Sequence, residues 1–419
     1  MMKIIATSDW HIGNVFHSND RLPEHRHFLG WLLDRLEEQK PDALLIAGDV
    51  FDNGNPSAAA QRAYYEFLAD AIGRCPDMNI VITAGNHDSA MRLEAASPIL
   101  ARNNVQIRGN VRRTWDEGKW IIDYDDLIIP LENAEGEKIV ILAMPYLRSD
   151  MINGCDYSNG VNDFMRTLTA RAKELHPGCT TLLMAHMYAK GAEIAEKDAS
   201  EKIIIGGQEE VNMEGWTEHP DYLTCGHIHK RQHIWNTDWA RYTGSILPMS
   251  FSEVEYKHGV DMITFGEEGK REVEFIEYEP QHKLVILPKG EEGVSVADLK
   301  KLIKKDLRDR GADGKLSETY DYVLLKVKMD KVNNDAIREM EDLFNTKDAV
   351  LCKTQKVIQS IDVSTIVGKQ QLTSIDDILN RDPMDTLVEA FAIKHNAEMS
   401  EQQKQMLREI INSCKIETE

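Results

Sequence analysis

The 419-residue sequence has no apolar run near the ~20 residues that a membrane-spanning helix needs; its best, Ile139 to Met144, is strand length. That excludes a bundle of membrane helices. Cysteine is scarce, with six at positions 75, 155, 179, 225, 352 and 414 and no CxxC pair. This excludes a disulfide framework or zinc knuckle and predicts reduced thiols. Positive charge is short as well: 49 Lys plus Arg face 70 Asp plus Glu, for a net charge of −21. Taken alone, that balance argues against an autonomous nucleic-acid binder. No internal repeat and no low-complexity linker interrupts the chain. Met1-Met2-Lys3 leads directly into Ile4-Ile5-Ala6, leaving no room for a signal peptide, so a cytoplasmic protein without a membrane partner is expected.

What remains is ordinary globular material, 42% apolar and 28% charged, at a length that predicts two or three domains. In the first half, strand-like runs (Lys3 to Thr7, Ala43 to Ala47, Asn79 to Ala84, Lys138 to Met144, Thr180 to Ala185, Tyr222 to Cys225, Val260 to Phe265) alternate with helical stretches. Between Glu24 and Gln39, Phe28, Leu29, Leu32, Leu33 and Leu36 recur at helical spacing until Pro41. Ser57 reads as the N-cap of a helix carrying Tyr64, Phe67, Leu68 and Ile72. Strands separated by helices predict an α/β fold of sheet-centred layers.

Near residue 280 the character changes. The reading is a first domain at 1–280, a smaller α/β unit at 281–372 and a helical segment at 373–419. The middle unit shows a helix from Val296 to Arg310, a strand from Tyr322 to Met329, a helix from Asn334 to Phe344 and a strand from Val350 to Ile358. Asp382-Pro383 and Ser400 with Gln403 have the form of helix starts. Acidity is uneven: residues 1–283 hold 28 basic and 45 acidic side chains, whereas 284–372 hold 16 and 15. The cluster from Lys300 to Arg308 could therefore meet backbone phosphate, or simply be the solvated face of its helix.

Five short motifs follow strand-like runs: Asp9-Trp10-His11, Gly48-Asp49-Val50-Phe51-Asp52, Gly85-Asn86-His87-Asp88, His186, and Gly226-His227-Ile228-His229. Functional groups collect at the C-terminal ends of strands in open α/β sheets, so the five can converge. Asp9, His11, Asp49, Asn86, His186, His227 and His229 make a mixed oxygen and nitrogen donor set suited to Mn²⁺, Fe²⁺ or Zn²⁺. Seven donors are too many for one such ion and suit two, roughly 3.5 to 4 Å apart and sharing a carboxylate, an arrangement that attacks phosphate esters. Each fragment alone is weak, since a DxH or a GD is usually turn chemistry; all five in order are not.

This order, DxH, GDxxD, GNHD, H, GHxH, resembles the calcineurin-like metallophosphoesterase superfamily. Within it, Thr7-Ser8-Asp9-Trp10-His11-Ile12-Gly13, Gly48 to Asp52, and Tyr242-Thr243-Gly244-Ser245-Ile246-Leu247-Pro248-Met249-Ser250-Phe251-Ser252-Glu253 are similar to the SbcD family of bacterial nuclease subunits. The likeness covers about residues 1 to 280. It implies that Asp9, His11, Asp49 and His229 hold one ion and Asp49, Asn86, His186 and His227 the other, with Mn²⁺ favoured and Mg²⁺, Fe²⁺ or Zn²⁺ as alternatives. His87 would then meet the scissile phosphate, with Asp88 orienting its imidazole as the second catalytic residue. Some relatives carry a histidine where this chain has Asp52, which reads instead as a hydrogen-bonding or helix-entry carboxylate.

The likeness further implies a metal-dependent DNA exonuclease and endonuclease subunit in repair, recombination and replication, acting on ends, hairpins and duplex. Residues 281–372 would be a capping domain, and 373–419 would dock on an SbcC-type ATPase. A homodimer within a heterotetramer is implied too, with Phe28 to Leu36 or Tyr64 to Ile72 as candidate dimer helices. The alternatives are a phosphodiesterase or phosphatase for nucleotides or small phosphoesters, and a degenerate, non-catalytic scaffold. The intact ligand set speaks against the scaffold.

Overall fold

The computed structural model describes residues 1–152, 156–194, 210–213, 216, 219–235, 237–266, 270–290, 292–328, 334–357 and 404. The helices expected in 373–419 lie outside these residues. Four parallel strands open the first sheet: β1 (Met2–Thr7), β2 (Ala43–Ala47), β3 (Asn79–Thr83) and β4 (Val105–Arg108). The crossovers include α1 (Leu22–Gln39), after β1, and α2 (Ala58–Arg74), after β2. Pro23 starts α1 without needing an amide partner, and Lys40 ends it at φ 47. Ser57 caps α2, its side chain accepting from the Ala60 amide.

A second six-stranded sheet follows, built from β5 (Ile128–Glu132), β6 (Lys138–Ala143), β7 (Thr180–His186), β8 (Tyr222–Gly226), β9 (Gln232–His233) and β10 (Ala240–Tyr242). Its order is β9-β10-β8-β7-β6-β5, with α3 (Tyr157–Leu175) between β6 and β7. Pro130 lies in β5, an edge strand, where a missing amide is tolerated. The chain then returns to the first sheet as β11 (His258–Phe265), antiparallel to β1, and β12 (Arg271–Tyr278).

The two sheets face each other. Ile4, Ala6, Leu45 and Val81 from the first pack with Ile139, Ile141, Leu182 and Met184 from the second. Alternate residues of the same strands, such as Ile5, Leu44, Ile46 and Ile80, pack under α1 and α2. Burial on both faces explains why these strands read as continuous apolar runs. The outer face of the second sheet is covered by α3 through Val161, Phe164, Met165 and Leu168. The expected α/β layers are thus present, as helix, sheet, sheet and helix.

A third, all-parallel sheet has the order β13 (Leu284–Leu287), β14 (Asp321–Lys328), β15 (Ala349–Val357), with α4 (Val296–Asp306) and α5 (Asn334–Phe344) in its crossovers. Val323, Leu325 and Val327 face the helices, whereas Tyr322 and Leu324 pack on Phe16 and Phe251 of the first region. Two expectations change here. Phe28, Leu32 and Leu36 of α1 and Tyr64, Phe67 and Leu68 of α2 are buried in the chain's own core, so these faces are not free for a partner. In the Lys300 to Arg308 cluster, Lys300 pairs with Glu339, Lys301 with Asp298 and Arg308 with Asp348, which reduces the charge offered to a phosphate. Cys75, Cys179, Cys225 and Cys352 are free thiols. No helix of the described residues is long and apolar enough to cross a membrane.

Candidate metal centre

Every motif lies at the C-terminal end of a parallel strand. Asp9 and His11 follow β1, Asp49 follows β2, Asn86 and His87 follow β3, His186 ends β7, and His227 and His229 follow β8. The turns that carry them are tight. Asp9, His11, Asp49 and His227 have φ of 51°, 46°, 49° and 98°, a region non-glycine residues seldom enter. Such strain persists where the surroundings enforce it. Here the Asp9 amide donates to the Gly48 carbonyl at 3.1 Å and the His11 amide to the Asp49 carbonyl at 2.9 Å.

The side chains then meet. Asp9, His11 and His229 can each bring one ligand atom within 4.8 Å of the others, as can His11, Asp49 and His87, and Asp9, Asp49 and His186. Asn86 Oδ1 lies 3.0 Å from His186 Nε2 and 2.9 Å from His227 Nδ1. All seven donors singled out in the sequence therefore share one spot, and Asp9, His11, Asp49, His186 and His229 are buried.

A pair of divalent cations fits this arrangement. Both ring nitrogens of His11 are buried without a hydrogen-bond partner, an omission that costs about 1–3 kcal/mol per group unless something meets it. Burial holds the His11 imidazole far below its ordinary value, so it is neutral, as a ligand must be. Burial and the neighbouring His186 likewise bring His227 down to about 3. Burial pushes the Asp9 carboxyl up, against the pull of His186 and His229. His186 runs the other way: burial would lower it, but Asp49, 3.2 Å from its Nε2, with Asp9 and the Ala47 carbonyl, raises it to about 9. Two buried acids beside His11 and His227, which resist protonation, form a place for positive charge that, of these side chains, only His186 supplies.

The pair expected to do the chemistry is arranged differently from the expectation. Asp88 does not orient His87. Its carboxylate accepts the amides of Val50 (3.1 Å), Phe51 (3.0 Å) and Gly85 (2.9 Å), stapling the loop after β2 to the loop after β3. Burial and the charge of Asp49 raise it to about 6. The His87 ring is held instead by the Asp52 backbone carbonyl, 2.8 Å from Nδ1. The Asp52 side chain accepts from Asn14 Nδ2 at 2.8 Å and lies 3.8 Å from His11 Nδ1, while the entry to α2 belongs to Ser57.

A family model described as calcineurin-like phosphoesterase matches residues 2–231, more than half of the chain. The chain belongs to the calcineurin-like phosphoesterase family. Among curated relatives, the SbcD subunit of nuclease SbcCD from Rhodobacter capsulatus is 35% identical over 273 residues, covering 62% of this chain and 66% of the relative. Its counterparts from Escherichia coli K12 and Bacillus subtilis are 30% and 29% identical, over 63% and 62% of this chain and 65% and 66% of their own. The match thus spans just under two thirds of these relatives' length. Among solved structures, a dimetal phosphatase from Danio rerio aligns with a TM-score of 0.35 at 11% identity, over 64% of this chain and 93% of its own, too slight a likeness to carry an argument.

Three groups in this phosphoesterase escape sequence reasoning. The Ala47 carbonyl accepts from His186 Nδ1 at 3.0 Å and leaves Nε2 toward Asp49 and Asn86. The Asp52 carbonyl does the same for His87. Neither carries a side-chain signal. The third, Glu253, accepts from His229 Nδ1 at 2.9 Å and is wholly buried. It lies in the Tyr242 to Glu253 stretch of the family likeness, but nothing in its local sequence distinguishes it from a surface acid.

Proposed function

We propose that this chain is a two-metal phosphodiester hydrolase of DNA, a nuclease subunit that works in the cytoplasm with an SbcC-type ATPase in end processing, repair and recombination. The observation that carries the reading is the convergence of seven donors on one spot, with His11 unpartnered at both nitrogens. Asp9, His11, Asp49 and His229 hold one ion, Asp49, Asn86, His186 and His227 the other, and Mn²⁺ suits the mixed donor set. Bound there, the ions supply Lewis-acid polarisation of a phosphoryl group and a nucleophile at neutral pH. His87 handles the proton. With Nδ1 committed to the Asp52 carbonyl, its Nε2 is the nitrogen that passes a proton to the departing sugar oxygen.

The relatives' names favour a nuclease over a phosphatase. The partner contact is assigned to residues 373–419, and the working unit is a heterotetramer containing two copies of this chain. The deciding experiment compares hydrolysis of bis-nitrophenyl phosphate, a cyclic nucleotide and linear duplex DNA with Mn²⁺, with and without the ATPase. Duplex DNA is expected to be preferred, more so with the partner; a preference for the cyclic nucleotide would replace this reading with a nucleotide phosphodiesterase. His87→Ser is expected to lose about 10²- to 10⁴-fold in cleavage while elemental analysis shows the metal retained. Undiminished cleavage in that variant removes His87 from the proton role.

A further inference from the structure

Phe251, Ser252 and Glu253 form a 3-10 turn between the metal centre and the small sheet. Its two ends face different neighbours. Glu253 accepts from His229 Nδ1 at 2.9 Å through Oε1 and from the Met249 amide at 2.7 Å through Oε2. Phe251 packs on Phe16, centroids 5.3 Å apart, and Phe16 packs on Tyr322 of β14 at the same separation. Upstream of the turn, the fully buried Arg21 donates to the Pro248 carbonyl and to both oxygens of Glu24. Glu24 Oε1 in turn accepts from the Tyr322 hydroxyl at 3.1 Å. Polar and apolar contacts therefore follow the same route from β14 to the turn.

The ligand imidazoles are not supported alike. His186 Nδ1 meets a backbone carbonyl, His227 Nδ1 meets the Asn86 carboxamide, and neither ring nitrogen of His11 makes a hydrogen bond. His229 is backed by a carboxylate. An imidazole that donates Nδ1–H to a carboxylate keeps its Nε2 lone pair for a cation, fixed in direction and raised in basicity. Glu253 stays in place because the Met249 amide occupies its second oxygen and the turn cannot shift without unpacking Phe251.

We propose that Glu253 is the positioning residue for His229, and that the Pro248 to Glu253 turn makes the ion held by Asp9, His11 and His229 sensitive to the seating of the small sheet. Asn86, His186 and His227 are oriented instead by one another and by the Ala47 carbonyl. The inference rests on the proposed two-metal function.

Calorimetric Mn²⁺ titration of the full-length protein, with elemental analysis, tests it. Wild type is expected to bind two ions. Glu253→Gln keeps the side-chain shape and is expected to weaken one ion about 10- to 100-fold while sparing the other. Tyr322→Phe removes one hydroxyl and is expected to weaken the same ion by a smaller factor. Unchanged affinities in Glu253→Gln overturn the positioning role, and unchanged affinities in Tyr322→Phe overturn the link to the small sheet. Equal weakening of both ions in a folded variant overturns the assignment to one position. Should Glu253→Gln not fold, nitrogen NMR of the Mg²⁺-loaded wild type decides: a proton on His229 Nδ1 is expected, and one on Nε2 overturns the role. A wild type that binds no divalent ion removes the proposed function itself.

Discussion

At the scale of single residues, the centre is held by backbone conformations that its own side chains dislike. Left-handed φ at Asp9, His11 and Asp49 costs of order 1–3 kcal/mol each. Glycines make the crowding tolerable. A Cβ on Gly85 would lie 2.1 Å from Asp49 Oδ1 and 2.3 Å from the Asp49 nitrogen, both well inside van der Waals contact. Since Asp49 is the carboxylate proposed to be shared, Gly85→Ala is expected to lose bound metal and to lower the melting temperature. Wild-type metal content by elemental analysis with an unchanged melt would show that the loop yields without harm. Sequence reasoning finds the donors here because their types are distinctive. It cannot find Asp88 as a staple, because an aspartate beside a histidine looks the same whether it holds a ring or three amides.

At the scale of elements, the strands deliver the donors and the segments behind them fix their direction. The stretch after β10 is an example: Ser245 accepts from His258 Nδ1 at 2.9 Å through its carbonyl, tying the start of β11 to the segment that leads to Glu253. Burial lowers the His258 pKa below its ordinary 6.5. The sign follows directly. Above pH 6.5 the ring is neutral in both folded and unfolded chains; below it the unfolded chain takes up the proton first, so stability falls as pH falls. His258→Asn preserves a donor and is expected to show a shallower loss of stability below pH 6.5 in urea titrations at several pH values. An identical pH dependence in variant and wild type would exclude His258 as a source. The elements themselves were unevenly legible. Runs buried on both faces stand out, whereas β12 alternates Glu272, Glu274 and Glu277 with apolar residues, and the apolar spacing of α3 is diluted at its start by Asn159, Gly160 and Asn162.

At the scale of the whole molecule, the charge of −21 bears on how a nuclease would hold DNA. The first 283 residues carry 45 acidic against 28 basic side chains, and in the small α/β unit Lys300, Lys301 and Arg308 are paired with acids. Acids thus outnumber cations, and on the proposed function DNA binding would lean on bound metal and on a partner. The isolated chain is expected to bind duplex DNA weakly in chelator and measurably better with Mn²⁺, as read by fluorescence anisotropy at fixed salt. Tight binding in chelator refutes the idea. Deleting residues 373–419 is expected to abolish capture by the ATPase, and retained capture would move the docking surface elsewhere on the chain.

The sequence by itself determined the α/β class, the strand-end placement of five motifs and the seven donors, because apolar runs and the chemistry of Asp, His and Asn are local properties. It could not decide which helix faces are core, since apolar periodicity is the same at an interface and in an interior. Nor could it decide what orients His87, His186 and His229. Those partners are a carbonyl of Asp52, a carbonyl of Ala47 and a carboxylate 24 residues away in the chain, Glu253. Tertiary structure brings them within reach: the pairing of β2 with β3 sets Asp52 against His87, the packing of two sheets face to face sets Ala47 against His186, and the turn packed on the third sheet through Phe251 sets Glu253 against His229.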